Sequence, residues 1–132
     1  MPDEKYLSIK AWLNRLYHAE KKLEALEQLY RSDEKRKKHI SEVCGAETEI
    51  TQETDFSLPK YRKYLSEYSR IRTETENAIE LLDNEILEAI FIYRYIEGFT
   101  LEQIAEKMNY SVITIKRRHK EGVQKLIHCD IV

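Results

Sequence analysis

The sequence predicts an all-α protein in which a long N-terminal helical hairpin precedes a C-terminal helix-turn-helix. Three observations indicate this class. Only five of the 132 residues are glycine or proline, so few turns interrupt the chain. Apolar residues recur at intervals of three and four along most of the length. The sequence has no alternating run rich in valine and isoleucine of the kind that indicates a sheet.

The first predicted domain, residues 1–82, is a hairpin arm that resembles a coiled coil. Two narrow apolar stripes lie on otherwise charged helices, which is the pattern of a coiled coil or of an antiparallel hairpin. The first stripe comprises Ile9, Trp12, Leu16, Ala19, Leu23, Leu26 and Tyr30, and the second comprises Tyr61, Tyr64, Tyr68, Ile71, Thr75, Ala78 and Leu82. The pattern leaves open whether the arm packs on the rest of the chain or holds two copies together.

The connection between the two stripes, residues 45–59, is predicted to be a mobile loop. It contains Gly45 and Pro59, shows no apolar stripe and is long for a tight connection. Pro59 stands where a proline favours the start of a helix. The basic run at residues 35–39 is interpreted as solvated helix surface, with a supplementary phosphate or RNA contact as the alternative.

The second predicted domain, residues 83–132, has the signals of three short helices in series. Gly98 follows an apolar helix face at the position of a left-handed C-terminal cap. Thr100 and Gln103 have the spacing of a capping box. Asn109 tolerates a left-handed turn, and Ser111 suits the N-cap of the final helix. Helices joined in this way predict a helix-turn-helix.

The final helix, residues 111–127, predicts contact with DNA. From residue 111 to 128 the sequence holds five Lys or Arg against one acid, a local balance of +4 in a chain of net charge −2. Such a helix enters the major groove by its N-terminal half, and its side chains bind bases and phosphates. The predicted contacts are Ser111, Ile113, Thr114, Lys116, Arg117, Arg118 and Lys120, with Arg94 on a flanking phosphate. The alternative is an ordinary solvated helix face.

The face of this helix opposite to the cations is predicted to be buried. Its members are Val112, Ile115, His119, Val123 and Leu126, and Gly122 permits a close approach of another helix. His119 is interpreted as a hydrogen-bonded core histidine, with a phosphate contact at the edge of the groove as the alternative.

The segment YRYIEGFTLEQIAEKMNYSVITIKRR, residues 93–118, resembles region 4 of bacterial sigma factors, which reads the −35 promoter element. SVITIKRR resembles in particular the opening of the recognition helix in extracytoplasmic-function sigma factors. The whole chain is similar to small regulators of Gram-positive phages and integrated elements, such as the ArpU-type late transcriptional regulators. The motifs that carry this similarity are KYL at residues 5–7, RYIEG at 94–98, and Tyr110 with Ser111.

This resemblance implies a sequence-specific transcriptional regulator, encoded by a phage or prophage, that binds double-stranded DNA and acts through host RNA polymerase. Two alternatives stay open: an adaptor that uses the sigma-like domain to bind polymerase or another protein, and a phage DNA-packaging component like a small terminase subunit. A homodimer is expected, because it suits paired half-sites about 34 Å apart.

Enzymatic, metal-binding and membrane functions find no support in the sequence. It contains no glycine-rich phosphate loop, no nucleophile elbow and no triad order, so we predict no enzyme. The histidines and cysteines lack the paired spacing of a zinc site, and we expect no metal or cofactor. The first residues lack the apolar core of a signal peptide, and the longest apolar run, residues 89–93, is too short to cross a bilayer. These features predict a cytoplasmic protein.

Overall fold

The computed structural model describes residues 4–44 and 57–131, and all regular secondary structure in these ranges is helical. The helices are α1 (Glu4–Leu13), α2 (Arg15–Cys44), α3 (Ser57–Glu80), α4 (Glu85–Phe91), a π-helical turn (Ile92–Ile96) that continues α4, α5 (Leu101–Met108) and α6 (Val112–His128). Long N-terminal helices precede a C-terminal helix-turn-helix, so the predicted fold class is confirmed. Within the same ranges no helix is both long and apolar enough to cross a membrane.

Two features of the sequence fall partly or wholly outside the described residues. Most of the loop predicted at 45–59 does so, because the structure resumes at Ser57, where α3 begins. Pro59 is thus the third residue of α3, in the first turn, where its missing N–H has no helical partner to lose. The side chains of the basic run lie outside as well, except that of Lys35, which is exposed.

Packing divides the chain into two compact units. The first comprises Met1–His18 and Arg70–Val132, and the second comprises Ala19–Ser69. The boundary predicted between residues 82 and 83 separates an arm from a DNA-binding domain by function, and it stays a prediction.

The second unit holds α2 from Ala19 to its end and α3 from its start to Ser69, and the stripe residues within it are partly covered. Every stripe residue in this unit is half-buried, from Ala19 to Tyr30 on α2 and from Tyr61 to Tyr68 on α3. The Lys22 ammonium lies 4.5 Å from the ring centre of Tyr64, which brings the two helices into contact. A narrow stripe covers little area, and this explains why its aromatic residues stay partly in contact with water.

In the first unit the junction of α1 and α2 is held on α3 by one arginine. The Arg15 guanidinium lies 4.3 Å from the Trp12 ring centre, and its Nη1 is 3.3 Å from Oε1 of Glu74. This ion pair joins α2 to α3 within the first unit.

The core of the first unit is apolar, and α1 completes it. Ile9 and Leu13 of α1 are buried together with Ile79 near the end of α3 and with Leu82, which follows α3. The rest of the core comes from the C-terminal helices: Leu87, Ile90, Phe91, Tyr95, Ile104, Ala105, Ile115, Val123 and Leu126. Because α1 packs directly on α6, the N-terminus of the chain helps to fix the helix that carries the positive charge.

The helix before the helix-turn-helix begins and ends on side-chain and backbone caps. Asn84 is its N-cap, and Oδ1 accepts hydrogen bonds from the backbone N–H of Ile86 and Leu87, at 3.0 and 3.1 Å. At the other end Gly98 adopts φ +79°, and the Phe99 N–H donates to the Tyr93 carbonyl at 2.9 Å. The bond spans six positions, one more than the main bond of a Schellman cap, and it closes a turn that is π-helical. Gly98 takes the left-handed conformation that its position predicts.

Candidate nucleic-acid interface

Local hydrogen bonds define both the start of α5 and the turn between α5 and α6. Thr100 caps α5: its hydroxyl accepts from the Gln103 N–H at 3.2 Å, and the Gln103 side chain accepts from the Thr100 N–H at 2.9 Å. Asn109 ends α5 in the left-handed region at φ 58°, and Ser111 caps α6 by accepting from the Thr114 N–H at 3.1 Å. The predicted capping box, left-handed turn and N-cap are confirmed.

The buried side of α6 matches the prediction almost fully. Ile115, His119, Gly122, Val123 and Leu126 are buried, and Val112 is half-buried. A Cβ atom on Gly122 would stand 2.6 Å from Cζ of Phe91, so a glycine is what lets the Phe91 ring of α4 pack against the α6 backbone. This contact fixes how deeply α6 sits in the domain, and therefore which side of it remains outside.

His119 locks the rotation of α6 against the π-helical turn. Its Nε2 lies 2.6 Å from the Tyr95 hydroxyl, and its ring stacks on Phe91 with centres 5.2 Å apart. Burial, and secondarily the charges of Lys10 and Arg94, lower the pKa of His119 from 6.5 to about 4. Burial likewise raises the pKa of Tyr95. A neutral imidazole and a neutral phenol therefore share this hydrogen bond. His119 is a core histidine, and at 6% exposure it leaves little surface for a phosphate.

The outward side of α6 presents one apolar and three cationic side chains. Ile113 is 79% exposed, and Lys116, Arg117 and Lys120 are exposed on the same face. Within the described part of the chain, no hydrogen bond or ion pair engages these three cations. Their charge is thus available to a ligand.

The other hydroxyl and cationic side chains predicted as contacts are partly engaged inside the protein. Ser111 is exposed, and its Oγ lies 2.8 Å from Oγ1 of the half-buried Thr114. Arg118 is half-buried, and its Nη1 is 3.3 Å from the Glu121 carboxylate. Arg94 donates from Nη1 to the Phe99 carbonyl at 3.1 Å, which braces the turn after Gly98. Their contacts with DNA remain predictions.

Lys125 and Tyr110 have positions that the sequence did not reveal. Lys125 contributes to the local balance of +4, but its ammonium donates to the Leu82 carbonyl at 3.0 Å and thereby ties α6 to the chain segment after α3. Tyr110 is 41% exposed directly before the N-cap of α6, beside the cationic face. The sequence could have indicated Tyr110 as a candidate contact through its place next to Ser111, because a tyrosine hydroxyl at a helix N-terminus can bind phosphate.

The site shows no arrangement for metal chemistry. Cys129 is the C-cap residue of α6 and is an exposed free thiol. Across residues 4–44 and 57–131, no three side chains of His, Cys, Asp and Glu come together as metal ligands. The chemistry that the face offers is electrostatic and apolar contact.

Comparison with known families agrees with this geometry. Residues 84–128 match the family model described as Sigma-70, region 4. The C-terminal segment is a sigma-70 region 4-like helix-turn-helix. The match begins at Asn84, the N-cap of α4, and ends at the last residue of α6. This family is a DNA-binding, non-enzymatic domain. No curated protein and no solved structure matches the chain significantly.

Proposed function

We propose that the protein is a sequence-specific DNA-binding transcriptional regulator that places α6 in the major groove. The observation that carries the proposal is the outward face of the region 4-like domain, with Lys116, Arg117 and Lys120 exposed and unengaged among the described residues. A recognition helix in this position brings side chains to base edges and phosphates together.

The ion pairs formed by arginines on α2 and α3 argue against the alternative that the outward side of α6 is an ordinary solvated face. On α2 and α3, three arginines pair with glutamates one turn away: Arg31 with Glu27 at 2.7 Å, Arg70 with Glu74 at 2.7 Å and Arg72 with Glu76 at 2.9 Å. The only acid of α6, Glu121, pairs with Arg118. The three remaining outward cations have no acid of their own, and phosphates supply the missing charge.

The proposal gives each residue a task. Arg117, in the middle of the exposed face, is assigned to a base pair, because a guanidinium can bind guanine through two hydrogen bonds. Lys116 and Lys120 flank it and are assigned to phosphates on either side. Ser111, Thr114, Arg118 and Arg94 are assigned supporting contacts with the backbone of the duplex, and Ile113 an apolar contact with a base.

Binding of the full chain to duplexes selected from a random library tests the proposal, with fluorescence anisotropy as the measurement. The logarithm of the binding constant should fall linearly with that of the salt concentration, by about 0.9 for each phosphate contact. Lys116→Ala, Arg117→Ala and Lys120→Ala together should abolish most of the affinity and flatten this slope.

The matched control removes three exposed cations of the arm, through Lys60→Ala, Arg62→Ala and Lys63→Ala. This variant loses the same charge and should keep both affinity and salt slope. Equal weakening of the two triple variants would refute a specific role for α6.

The finer proposal is control of late genes of a phage or mobile element through host RNA polymerase, in the cytoplasm. The resemblance of the chain to ArpU-type regulators supports it. Retention of the protein on phage promoter fragments without added polymerase distinguishes it from the adaptor, which requires polymerase. A large ring of copies by mass measurement would instead favour a terminase-like packaging component.

We also propose that residues 1–82 hold two copies together while residues 83–132 contact DNA. Support comes from the half-buried Tyr61, Tyr64 and Tyr68, since tyrosines are frequent at protein contacts. Sedimentation at micromolar concentration should show a dimer. A monomer throughout would remove this part of the proposal.

A further inference from the structure

Ile113 is the most conspicuous apolar side chain on the surface of the described residues. It is 79% exposed, whereas the next most exposed large apolar side chains, Leu7 and Tyr17, are each 52% exposed. An isoleucine two positions further along the same helix, Ile115, is fully buried. Water contact is unfavourable for so much apolar surface, so a ligand that covers Ile113 gains from its burial.

The neighbours of Ile113 indicate what that ligand is. Ile113 is the second residue of α6, and Lys116 and Arg117 follow three and four positions later, which places them on the same face one turn away. The cores of protein interfaces are depleted of charge, and an isolated isoleucine among unengaged cations does not resemble one. A polyanion with an apolar spot in its groove fits both features.

Duplex DNA has such a spot in its major groove. The C5 methyl group of thymine is the apolar group that base edges present there, and apolar side chains contact it. Isoleucine is suited to this contact because its branched side chain keeps one strongly preferred rotamer on a helix, so little freedom is lost on binding.

We infer, building on the proposed function, that Ile113 is a specificity-determining residue that contacts the methyl group of a thymine. The rise of a helix over four residues is about 6 Å. Successive bases of one strand are about 3.4 Å apart. The thymine therefore lies within about two base pairs of the base pair that Arg117 contacts.

The experiment uses the full chain on an array of duplexes that covers all short sequences. The array is made once with thymine and once with deoxyuridine, which lacks only the methyl group. The preferred sequences should share a thymine, and its replacement by uracil should weaken binding about fourfold, the equivalent of about 0.8 kcal/mol for one buried carbon.

Four variants test whether Ile113 is responsible for the difference in affinity between thymine and uracil duplexes. Ile113→Ala should bind the thymine and uracil duplexes equally, and Ile113→Val should retain part of the difference. Leu81→Ala, on an exposed leucine just after α3, should leave the difference intact. Ile92→Ala, on an exposed isoleucine of the π-helical turn, should do so too. Because Ile113 is so exposed, circular dichroism should show that Ile113→Ala folds normally.

The outcomes separate this inference from the proposed function. Specific binding that ignores the thymine methyl, or a thymine preference that survives Ile113→Ala, overturns the inference and leaves the DNA-binding proposal standing. Equal weakening of Ile113→Ala on all duplexes overturns it as well, since that result indicates general packing. Absence of DNA binding by the unaltered chain overturns both.

Discussion

The lysines and arginines of α2 and α3 differ from those of α6 in how they are engaged. Along α2 and α3, Arg31, Arg70 and Arg72 each lie within 3 Å of a glutamate one turn away. Along α6 the outward lysines and arginine have no such partner among the described residues. The two regions therefore differ in how their cations are engaged. The three arginines of α2 and α3 pair with glutamates of their own helix, whereas Glu121, the acid one turn from Arg117, pairs with Arg118 instead.

Burial distinguishes the two regions as clearly. In the second unit the stripe residues are half-buried, whereas in the region 4-like domain Leu87, Ile90, Phe91, Ile104, Ile115, Val123 and Leu126 have no exposed surface. The region that keeps its cations free is the one with the well-packed core. A rigid core holds the outward face of α6 in one geometry, and this is what recognition of a duplex requires.

The largest effect on stability should come from the buried isoleucine of α6, with the exposed isoleucine of the same helix as its control. Ile115→Ala should lower the free energy of unfolding by about 2–4 kcal/mol, because the side chain is fully buried and leaves a cavity. Ile113→Ala, with the same change in composition on the exposed side, should stay within about 0.5 kcal/mol. Urea denaturation measures both. Similar losses in the two variants would contradict the orientation of α6.

Acidification should lower the free energy of unfolding of the region 4-like domain, because His119 is buried in its neutral form. Its pKa is lowered to about 4, so the unfolded chain takes up a proton first and stability falls as pH drops from 6.5 towards 4, by roughly 3 kcal/mol in all. Denaturation at a series of pH values measures the slope. His119→Leu should remove most of it in this window, and His128→Gln, on an exposed histidine of the same helix, should not.

Arg117→Ala should weaken the free energy of binding to a preferred duplex by about 1–3 kcal/mol, since it removes the guanidinium that we propose contacts a base pair. The matched control is Arg72→Ala, on an exposed arginine of α3 that is paired with Glu76, and affinity should not change. Anisotropy titrations on preferred and unrelated duplexes provide the measurement. An equal loss on every sequence would reassign Arg117 to a phosphate.

The smallest effect should come from the surface pairs of the arm. Arg31→Ala should cost only about 0.3–0.5 kcal/mol of stability, because its pair with Glu27 is exposed and screened by water. DNA affinity should stay the same. A clear loss of affinity would show that the arm takes part in binding, and the contrast between the two regions would then need revision.

Much of the helix-turn-helix was predictable because its signals act over a few residues. Thr100 with Gln103, Asn109 and Ser111 form hydrogen bonds to partners no more than four positions away. Gly98 takes a left-handed φ, which depends on its own lack of a side chain. The period of three and four likewise predicted that His119 is buried and that Ile113 is exposed. These features need no knowledge of distant contacts.

Two features could not be predicted from the sequence: the π-helical turn, and which of the individual cations form a hydrogen bond or an ion pair within the protein. Local spacing gave no sign that Glu97 N–H bonds five residues back to the Ile92 carbonyl. Lys125 and Lys120 look alike in sequence, yet only Lys125 reaches a carbonyl, that of Leu82, which is 43 positions away. Arg118 and Arg117 are neighbours, and only Arg118 is paired.

Caps and periodicity are properties of neighbouring residues, so the start and end of the helices in the C-terminal domain and the apolar face of α6 could be predicted without coordinates. The cations that stay unengaged and the way α6 is held depend on contacts within the folded core. The fit of Phe91 against Gly122, the bond from Tyr95 to His119 and the packing of α1 on α6 join residues far apart in the chain. Such contacts depend on the whole core, and no short stretch of sequence encodes them.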